Sequence, residues 1–343
     1  MARNLRKHAA DYTAYLALRV AIALLQALPL AACERLAGGL AWLVGDRLGM
    51  RRRVLEENLR TAFPDWTHAQ RQRCGQAMWR HLFLMVAEIA HTPRKMHRTN
   101  WRQRYDVPDV KTIVHTLLSS RAKVVICGHY GNFELGGYLL GLFGFPTHTV
   151  ARPLDNPYVN RFVNEFRGRT GQYILPKVGS RDAIERVLDG GGTLALLGDQ
   201  AAGEKACWVN FFGRPASTHK AVSLFTLSYA APTLVLAAQR IGGPLRYRGV
   251  LGGAIDPQAP GFAHGGTQEL TNWFTERLEG LIRGAPEQYW WVHRRWRSEP
   301  PERVQRRLAR EREAAGREQH RGRPDDAAEA RAAAGPGTTT DAA

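Results

Sequence analysis

The chain has 343 residues, of which 44% are hydrophobic, so it can bury a sizeable core in one large domain or two smaller ones. Lysine and arginine number 48 against 31 acidic residues, and the net charge of +17 favours an acidic partner: nucleic acid, an anionic membrane surface or a phosphorylated substrate. The four cysteines are scattered without disulfide-framework, metal-ligand or redox spacing, which favours a reducing compartment. We expect neither a metal nor a cofactor.

The N-terminal region contains two apolar stretches, residues 16–32 and 36–44, behind a basic start. The first is interrupted by Arg19, Gln26 and Pro29, whereas a membrane-spanning helix needs about 20 mostly apolar residues. No clean cleavage site follows that would make it a signal peptide. We therefore expect two helices that lie in or dip into the bilayer, with basic flanks at the cytoplasmic face. The alternative is a buried helical hairpin of a soluble bundle.

The basic run 51–53 precedes an amphipathic stretch with Val54, Leu55 and Leu59, and another helix is predicted after it. Asp65 or Thr67 can cap it, apolar residues recur at helical spacing over 78–89, and Pro93 is predicted to end it. That apolar face is typical of a core.

From residue 111 strands and helices alternate, which predicts an α/β fold with a mostly parallel central sheet flanked by helices. The predicted strands are 123–127, 147–151, 173–175, 193–197, 233–238 and 246–251. The predicted helices run over 132–142, from a cap at 156 to 171, from a cap at 180 to 190, over 218–229 and over 267–283.

Three regions are therefore expected: a membrane-associated helical region (1–104), an α/β domain (105–302) and a basic Arg/Ala-rich tail (303–343). The last ~20 residues of the tail are predicted to be disordered, because they have too little apolar surface to offset the entropy of ordering.

A histidine stands in the turn after the strand 123–127. His129 is followed by Asn132, a candidate helix N-cap, and by Glu134 in the first helical turn. Such turns, at the carboxyl edge of a parallel sheet, are where α/β proteins bind ligands. We expect Glu134 to reach back to the imidazole, and a histidine oriented by a carboxylate suits a base that activates a substrate hydroxyl. The alternative is a structural histidine, with a glutamate favoured there by the helix dipole.

Two more charged residues follow predicted strands, and the same edge would collect them. Arg152 follows the strand 147–151 and Asp199 follows the strand 193–197. Each also has a structural alternative, since Arg152 can pair with Asp155 on the surface and Asp199 can cap its own turn. The aromatic pair Phe211 and Phe212 either lines an apolar tunnel or belongs to a turn that opens a helix.

In this order, the motifs resemble those of the late acyltransferases of lipid A biosynthesis, the lauroyl/myristoyl type within the lysophospholipid acyltransferase superfamily. The resemblance covers residues 12–297 and rests on these segments: 52–59 with Phe63-Pro64, the His-x-x-x-x-Glu box of His129 and Glu134, Arg152 with 155–157, 198–200, 211–218 and 286–296. The chain departs from the family at Lys220, where we expect glycine in many relatives, and in its tail.

The resemblance implies an α/β acyltransferase domain of the glycerol-3-phosphate-acyltransferase type, preceded by membrane-associated helices. It implies transfer of a fatty acyl chain from a carrier-protein thioester, or from acyl-CoA, to a hydroxyl of a membrane lipid, most simply a lipid A precursor. His129 and Glu134 would be catalytic. Asn132, Arg152, Asp199, Phe211 and Phe212 would contact substrate.

The resemblance further implies the cytoplasmic face of the inner membrane as the location and an anionic membrane surface as a partner, with no nucleic acid. Within this framework Arg152 would hold a phosphate or the oxyanion, and Asp199 would position Arg152 or replace Glu134 as the orienting acid. Basic residues, including 51–53 and Arg294-Arg295, would face acidic headgroups or an acidic carrier protein. The alternatives are acylation of another glycolipid, a phosphatidylinositol mannoside or a lysophospholipid, and a non-enzymatic basic membrane- or nucleic-acid-binding protein.

Overall fold

The computed structural model describes residues 2–203, 206–307 and 310. The chain divides into two compact units, Met1–Ser298 and Glu299–Ala343. In the second unit, residues 302–307 are helical. The predicted disordered end of the tail lies outside the described residues.

In the described part of the chain, four α-helices precede the sheet: α1 (Ala2–Ala27), α2 (Leu30–Ala41), α3 (Arg52–Ala62) and α4 (His68–Lys95). Thr67 caps α4 in a capping box with Gln70, as its sequence predicts. The prediction that Pro93 ends α4 is wrong, because the helix continues through it to Lys95. Pro93 has no N–H to donate to the carbonyl of Ile89, so α4 lacks that bond near its end. No helix in the described part of the chain is both long and apolar enough to cross a membrane.

The described residues form a seven-stranded central sheet, whose strands are β1 (Tyr105–Asp106), β2 (Lys123–Cys127), β3 (Thr147–Ala151), β4 (Gln172–Pro176), β5 (Thr193–Leu197), β8 (Thr233–Arg240) and β9 (Tyr247–Ile255). Their order across the sheet is β1-β9-β8-β2-β5-β3-β4. Five of them run parallel, and β9 with its neighbour β1 runs in the opposite direction. The predicted mostly parallel sheet is confirmed. The antiparallel pairing of β9 with β8 was not predicted, because it depends on which strand lies beside β9.

Helices cover both faces of this sheet. They are α5 (Val110–Leu117), α6 (Phe133–Leu142), α7 (Pro157–Gly168), α8 (Arg181–Asp189), α9 (Ala221–Ser228) and α10 (Thr267–Gly284). Alternate side chains of β2 point to opposite faces: Val124 and Ile126 pack with α8, α9 and α10, whereas Val125 packs with α5. This two-sided burial explains why β2 is a continuous apolar run.

The segment after β5 differs from its predicted structure. It forms an antiparallel hairpin of β6 (Cys207–Phe211) and β7 (Arg214–Thr218). Phe212 and Gly213 form the two-residue turn, both with positive φ, as tight hairpin turns require. The prediction that a helix starts at Thr218 is therefore wrong, since this residue ends β7.

Candidate active site

The register of β2 on β5 brings His129 and Asp199 together. Cys127 pairs with Leu197 at the carboxyl ends of the two strands. His129 and Asp199 each follow two residues after the end of their strand. The Nδ1 atom of His129 lies 2.9 Å from Oδ1 of Asp199, and the backbone N–H of His129 donates to Oδ2 at 2.8 Å. Because a carboxylate only accepts, Nδ1 carries the proton and Nε2 is left as the acceptor.

Burial and charge oppose each other at this pair. Burial lowers the pKa of His129, but the Asp199 carboxylate outweighs it through its charge and hydrogen bond, so the net pKa is raised. Burial raises the pKa of Asp199, but His129 outweighs it and the net pKa is lowered. The pair therefore favours a charged carboxylate and stabilises an imidazolium whenever His129 takes a proton.

The turn that carries His129 needs glycine at position 131. Gly131 has φ +62°, and a Cβ there would lie 2.1 Å from the carbonyl oxygen of Ala238. Its N–H donates to the carbonyl of Gln288, and the next N–H, that of Asn132, donates to Ala238. The backbone is thus clamped between β8 and the segment after α10.

An apolar cavity of 660 Å³ lies next to this turn, between the sheet and helices α5 and α6. Residues on both sides of His129 line it, including Cys127, Tyr130 and Phe133, and the ring of Phe133 lies 5.1 Å from the imidazole. Its walls come mainly from aliphatic and aromatic side chains, as is typical of a site for an apolar ligand.

The prediction that Glu134 orients the imidazole does not match the geometry. Both oxygens of Glu134 accept from the guanidinium of Arg167 in α7, and this pair forms part of the cavity wall. Glu134 acts on His129 only through its charge, as the smallest of the causes that raise the pKa of His129. The first turn of α6 directs Glu134 toward α7, and the neighbouring strand supplies the orienting acid instead.

The other predicted site residues are dispersed. Arg152 lies at the expected edge but is exposed and pairs with Asp155 at 3.2 Å, which was the structural alternative. Asn132 is buried, caps α6 through the N–H of Leu135 and donates to the hydroxyl of Tyr247. Asp199 is the predicted residue that the structure places directly on His129.

Phe211 and Phe212 are packed away from the cavity. Both rings are buried in a core cluster, where Phe212 contacts Phe63 and Trp291 edge to face. Neither is among the described residues that line the cavity. Their role in the fold is to seat the β6–β7 hairpin against the helical region, not to line the predicted tunnel.

Two distant motifs meet beside the site. Asn58, in the motif 52–59, donates from Nδ2 to the carbonyls of Trp291 and His293, in the motif 286–296. The second segment then covers the catalytic turn, since the N–H of Trp290 donates to the carbonyl of His129 at 3.0 Å. Both motifs are visible in the sequence, but their pairing joins residues more than 200 positions apart, which local patterns do not indicate.

Three further residues at the site had not been singled out from the sequence. Gln200 places Nε2 3.2 Å from Nε2 of His129, and the Trp290 ring lies 5.1 Å from the imidazole. Burial raises the pKa of Tyr289, and the nearby Asp199 carboxylate raises it further. Gln200 belongs to the motif 198–200, and Tyr289 and Trp290 belong to the motif 286–296. Membership of these motifs is the sequence signal that could have identified them.

Arg295 corrects another expectation. It was predicted to face acidic headgroups, yet only 3% of it is exposed, and it donates to the carbonyl of Ser217 and the hydroxyl of Thr218. Burial lowers its pKa, while the charge of Asp199 acts in the opposite direction. Arg294 and the run 51–53 do lie on the surface.

Within residues 2–203 and 206–307, no group of three or more histidine, cysteine or acidic side chains is arranged to hold a metal ion.

Comparison with known proteins identifies the family. The sequence model of the bacterial lipid A biosynthesis acyltransferases matches residues 3–298. The lipid A biosynthesis palmitoleoyltransferase of Escherichia coli (strain K12) is 26% identical over 259 residues, which are 74% of this chain and 81% of that protein. A lipid A biosynthesis acyltransferase of Haemophilus influenzae is 21% identical over 277 residues, 78% of this chain and 83% of that protein.

Among solved structures, the 1-acyl-sn-glycerophosphate (LPA) acyltransferase of Thermotoga maritima is similar with a TM-score of 0.36 and 13% identity, covering 76% of this chain and 99% of that one. The family match spans most of the chain, and the resemblance seen in the sequence is confirmed. The chain belongs to the bacterial lipid A biosynthesis acyltransferase family and is an acyltransferase.

Proposed function

We propose that the protein transfers a fatty acyl chain from a carrier thioester to a hydroxyl of a lipid A precursor, with His129 as the general base and Asp199 as its orienting acid. The observation that supports this most is the 2.9 Å bond from Nδ1 of His129 to Asp199, which leaves Nε2 unprotonated, 3.2 Å from the Gln200 amide, in a turn whose residues Tyr130 and Phe133 line the apolar cavity. A base of this kind suits direct transfer, because the nucleophile is the acceptor hydroxyl itself.

The proposed reaction proceeds in two steps within a ternary complex. Nε2 of His129 takes the proton of the acceptor hydroxyl as its oxygen bonds to the thioester carbonyl carbon, and the carbonyl becomes an oxyanion. The imidazolium formed is stabilised by Asp199. The oxyanion then collapses, the carbon–sulfur bond breaks, and the leaving thiolate receives the proton from His129.

The cavity is proposed to hold the acyl chain. Its wall is apolar, and it adjoins the turn of His129, so a chain lying in it would bring a thioester carbonyl toward the base. The charged part of the wall, Glu134 with Arg167, gives a polar rim for the thioester end or the acceptor.

The N-terminal helices are proposed to bind the cytoplasmic face of the inner membrane. The exposed apolar side chains of α1 recur every four residues, each about one turn beyond the last: Tyr12, Leu16, Val20 and Leu24. Beyond α2 the exposed aromatic Trp42 and the basic run 51–53 follow. Apolar residues that insert at the headgroup boundary, combined with cations, are typical of interfacial helices.

The carrier and the acceptor are carried over from the family. The net charge of +17 suits an acidic acyl carrier protein as the donor, and acyl-CoA is the alternative. Lipid mass spectrometry of a deletion strain tests the acceptor. We expect a lipid A species lighter by one acyl chain, restored by the wild-type gene and not by His129→Ala. Unchanged lipid A, with loss of an acyl chain from another lipid, would overturn the proposed acceptor.

A further inference from the structure

A buried polar cluster adjoins the catalytic turn, and the proposed chemistry does not use it. It consists of His81 and Glu88 from α4, Arg240 at the end of β8 and Tyr247 at the start of β9. Glu88 is completely buried and His81 is 4% exposed. Buried charged groups are costly unless each is paired, so the partners of this cluster indicate what it holds in place.

Within the cluster, Glu88 is saturated with donors. Arg240 binds it through two guanidinium nitrogens, and the Tyr247 hydroxyl and the N–H of Leu245 donate to it as well. Arg240 also approaches the Tyr247 hydroxyl at 3.1 Å. The ion pair therefore fixes α4 to the ends of two central strands.

His81 connects this ion pair to the catalytic turn. Its Nδ1 faces the guanidinium of Arg240, and its Nε2 lies 3.1 Å from the carbonyl oxygen of Gly131. A guanidinium only donates and a carbonyl only accepts, so the proton is on Nε2. Burial and the charge of Arg240 lower the pKa of His81 to about 3, which keeps this neutral form over the physiological range.

Gly131 stands two residues after His129, and its own N–H donates to Gln288. Its positive φ and its close approach to the Ala238 carbonyl restrict its backbone. A shift of the Gly131 carbonyl would therefore also move the neighbouring residues of the turn. We propose that His81 is a positioning residue: its bond to the Gly131 carbonyl holds the turn in the register at which His129 meets Asp199. The inference rests on the proposed role of His129 as the base.

Two substitutions separate the contacts of His81. In His81→Gln the amide nitrogen reaches the position of Nε2 and keeps a donor for Gly131. In His81→Asn the shorter amide keeps an acceptor for Arg240 and loses the donor. A displacement of about 1 Å at a reacting group lowers turnover by about 10²-fold, so we expect kcat of His81→Asn to fall by about 10- to 100-fold, with little change in KM, and His81→Gln to recover most of it.

The pH dependence of kcat/KM distinguishes a positioning role of His81 from a purely structural one, because loss of a purely structural contact would leave the pH profile unchanged. If the His129–Asp199 bond loosens, the raised pKa of His129 falls and the acidic limb of kcat/KM shifts to lower pH in His81→Asn. The other titratable and charged groups that act on the His129–Asp199 pair are Glu134, His293, Tyr289, Arg295 and Cys127, and these substitutions alter none of them.

His91 provides the matched control. It is also buried in α4 and bonds to a backbone carbonyl, that of Leu25 in α1. We expect His91→Asn and His91→Gln to lower thermal stability without changing kcat or the pH profile. If His81→Asn does not fold, His81→Ala, which lacks both side-chain contacts, takes its place with the same expectation.

Equal kcat in His81→Asn and His81→Gln, or an equal fall in the His91 pair, would overturn the proposal. In that case His129→Ala would still be inactive. Failure of the proposed function itself would instead appear as turnover retained by His129→Ala, so the two failures are distinguishable.

Discussion

Asp199 holds His129 at two points, accepting from the imidazole Nδ1 at 2.9 Å and from the backbone N–H at 2.8 Å. One carboxylate thus fixes both the position of the residue and the tautomer of its ring. The acid comes from the strand beside the histidine, whereas the sequence directs attention to Glu134, five residues along the same segment.

Exchange of each acid for its amide tests which of them orients the base. We expect Asp199→Asn to lower kcat/KM by about 10²-fold or more, because the amide no longer stabilises the imidazolium. Glu134→Gln should have a smaller effect, since Glu134 contacts Arg167. Steady-state kinetics with acyl-thioester donor gives both values, and a larger loss in Glu134→Gln would contradict the assignment.

The pH dependence gives an independent test of the same pair. The base acts when neutral, so activity rises as the pH passes the raised pKa of His129, and the acidic limb of kcat/KM should lie above 6.5, its ordinary value. In Asp199→Asn burial acts without the opposing carboxylate, and the limb should shift to lower pH. A limb that stays in place in Asp199→Asn would show that another group titrates.

Asn58→Ala should destabilise the protein. The variant removes two buried hydrogen bonds and leaves the carbonyls of Trp291 and His293 without that donor, a loss of about 1–3 kcal/mol in the free energy of unfolding. Thr61→Ala on the same helix is the control, because the Thr61 hydroxyl donates to the carbonyl of Glu57 within α3. Denaturant unfolding measures both, and equal stability of the two variants would contradict the role given to Asn58.

A larger side chain inside the cavity should shorten the preferred acyl chain. Ala195, in β5, lines the cavity, and Ala195→Leu reduces the space at that point. We expect kcat/KM to fall for long-chain donors and to be retained for short-chain ones. Ala254→Leu, on the exposed side of β9, is the control. Unchanged chain-length preference in Ala195→Leu would remove the cavity from the acyl site.

Membrane binding should depend on both the apolar residues of α1 and the surface cations. Replacing Leu16, Val20 and Leu24 by serine should weaken vesicle binding at all lipid compositions. Replacing the three arginines 51–53 by glutamine should weaken it for anionic vesicles alone, since each cation near such a surface contributes about 1 kcal/mol. Sedimentation with vesicles measures both, and binding insensitive to the α1 changes would argue against an interfacial helix.

Local patterns were sufficient for most of the sheet. The apolar run of β2 and the bounds of β3 and β5 follow from β-branched composition and flanking glycines, and the structure has the same bounds. The β6–β7 hairpin was missed because its Phe212-Gly213 turn lacks the usual Asn-Gly or Asp-Gly signature, and the helix that follows hid the end of β7.

The site was predictable in position but not in pairing. His129 and Asp199 both follow strands, which the sequence indicates, but that β2 lies beside β5 is a property of strand order. Strand order depends on long-range contacts, which one sequence does not reveal. The same limit applies to Asn58 and to the buried Arg295, whose partners come from distant segments.

The central claim is that His129 is the base. Its most direct test is the initial rate of acyl transfer by purified His129→Ala, from an acyl carrier protein thioester to a lipid A precursor in detergent, beside wild-type protein of matched folded fraction. We expect the rate to fall by about 10²–10⁴-fold while thermal unfolding stays cooperative. Turnover close to that of the wild type in a folded His129→Ala protein would contradict the claim.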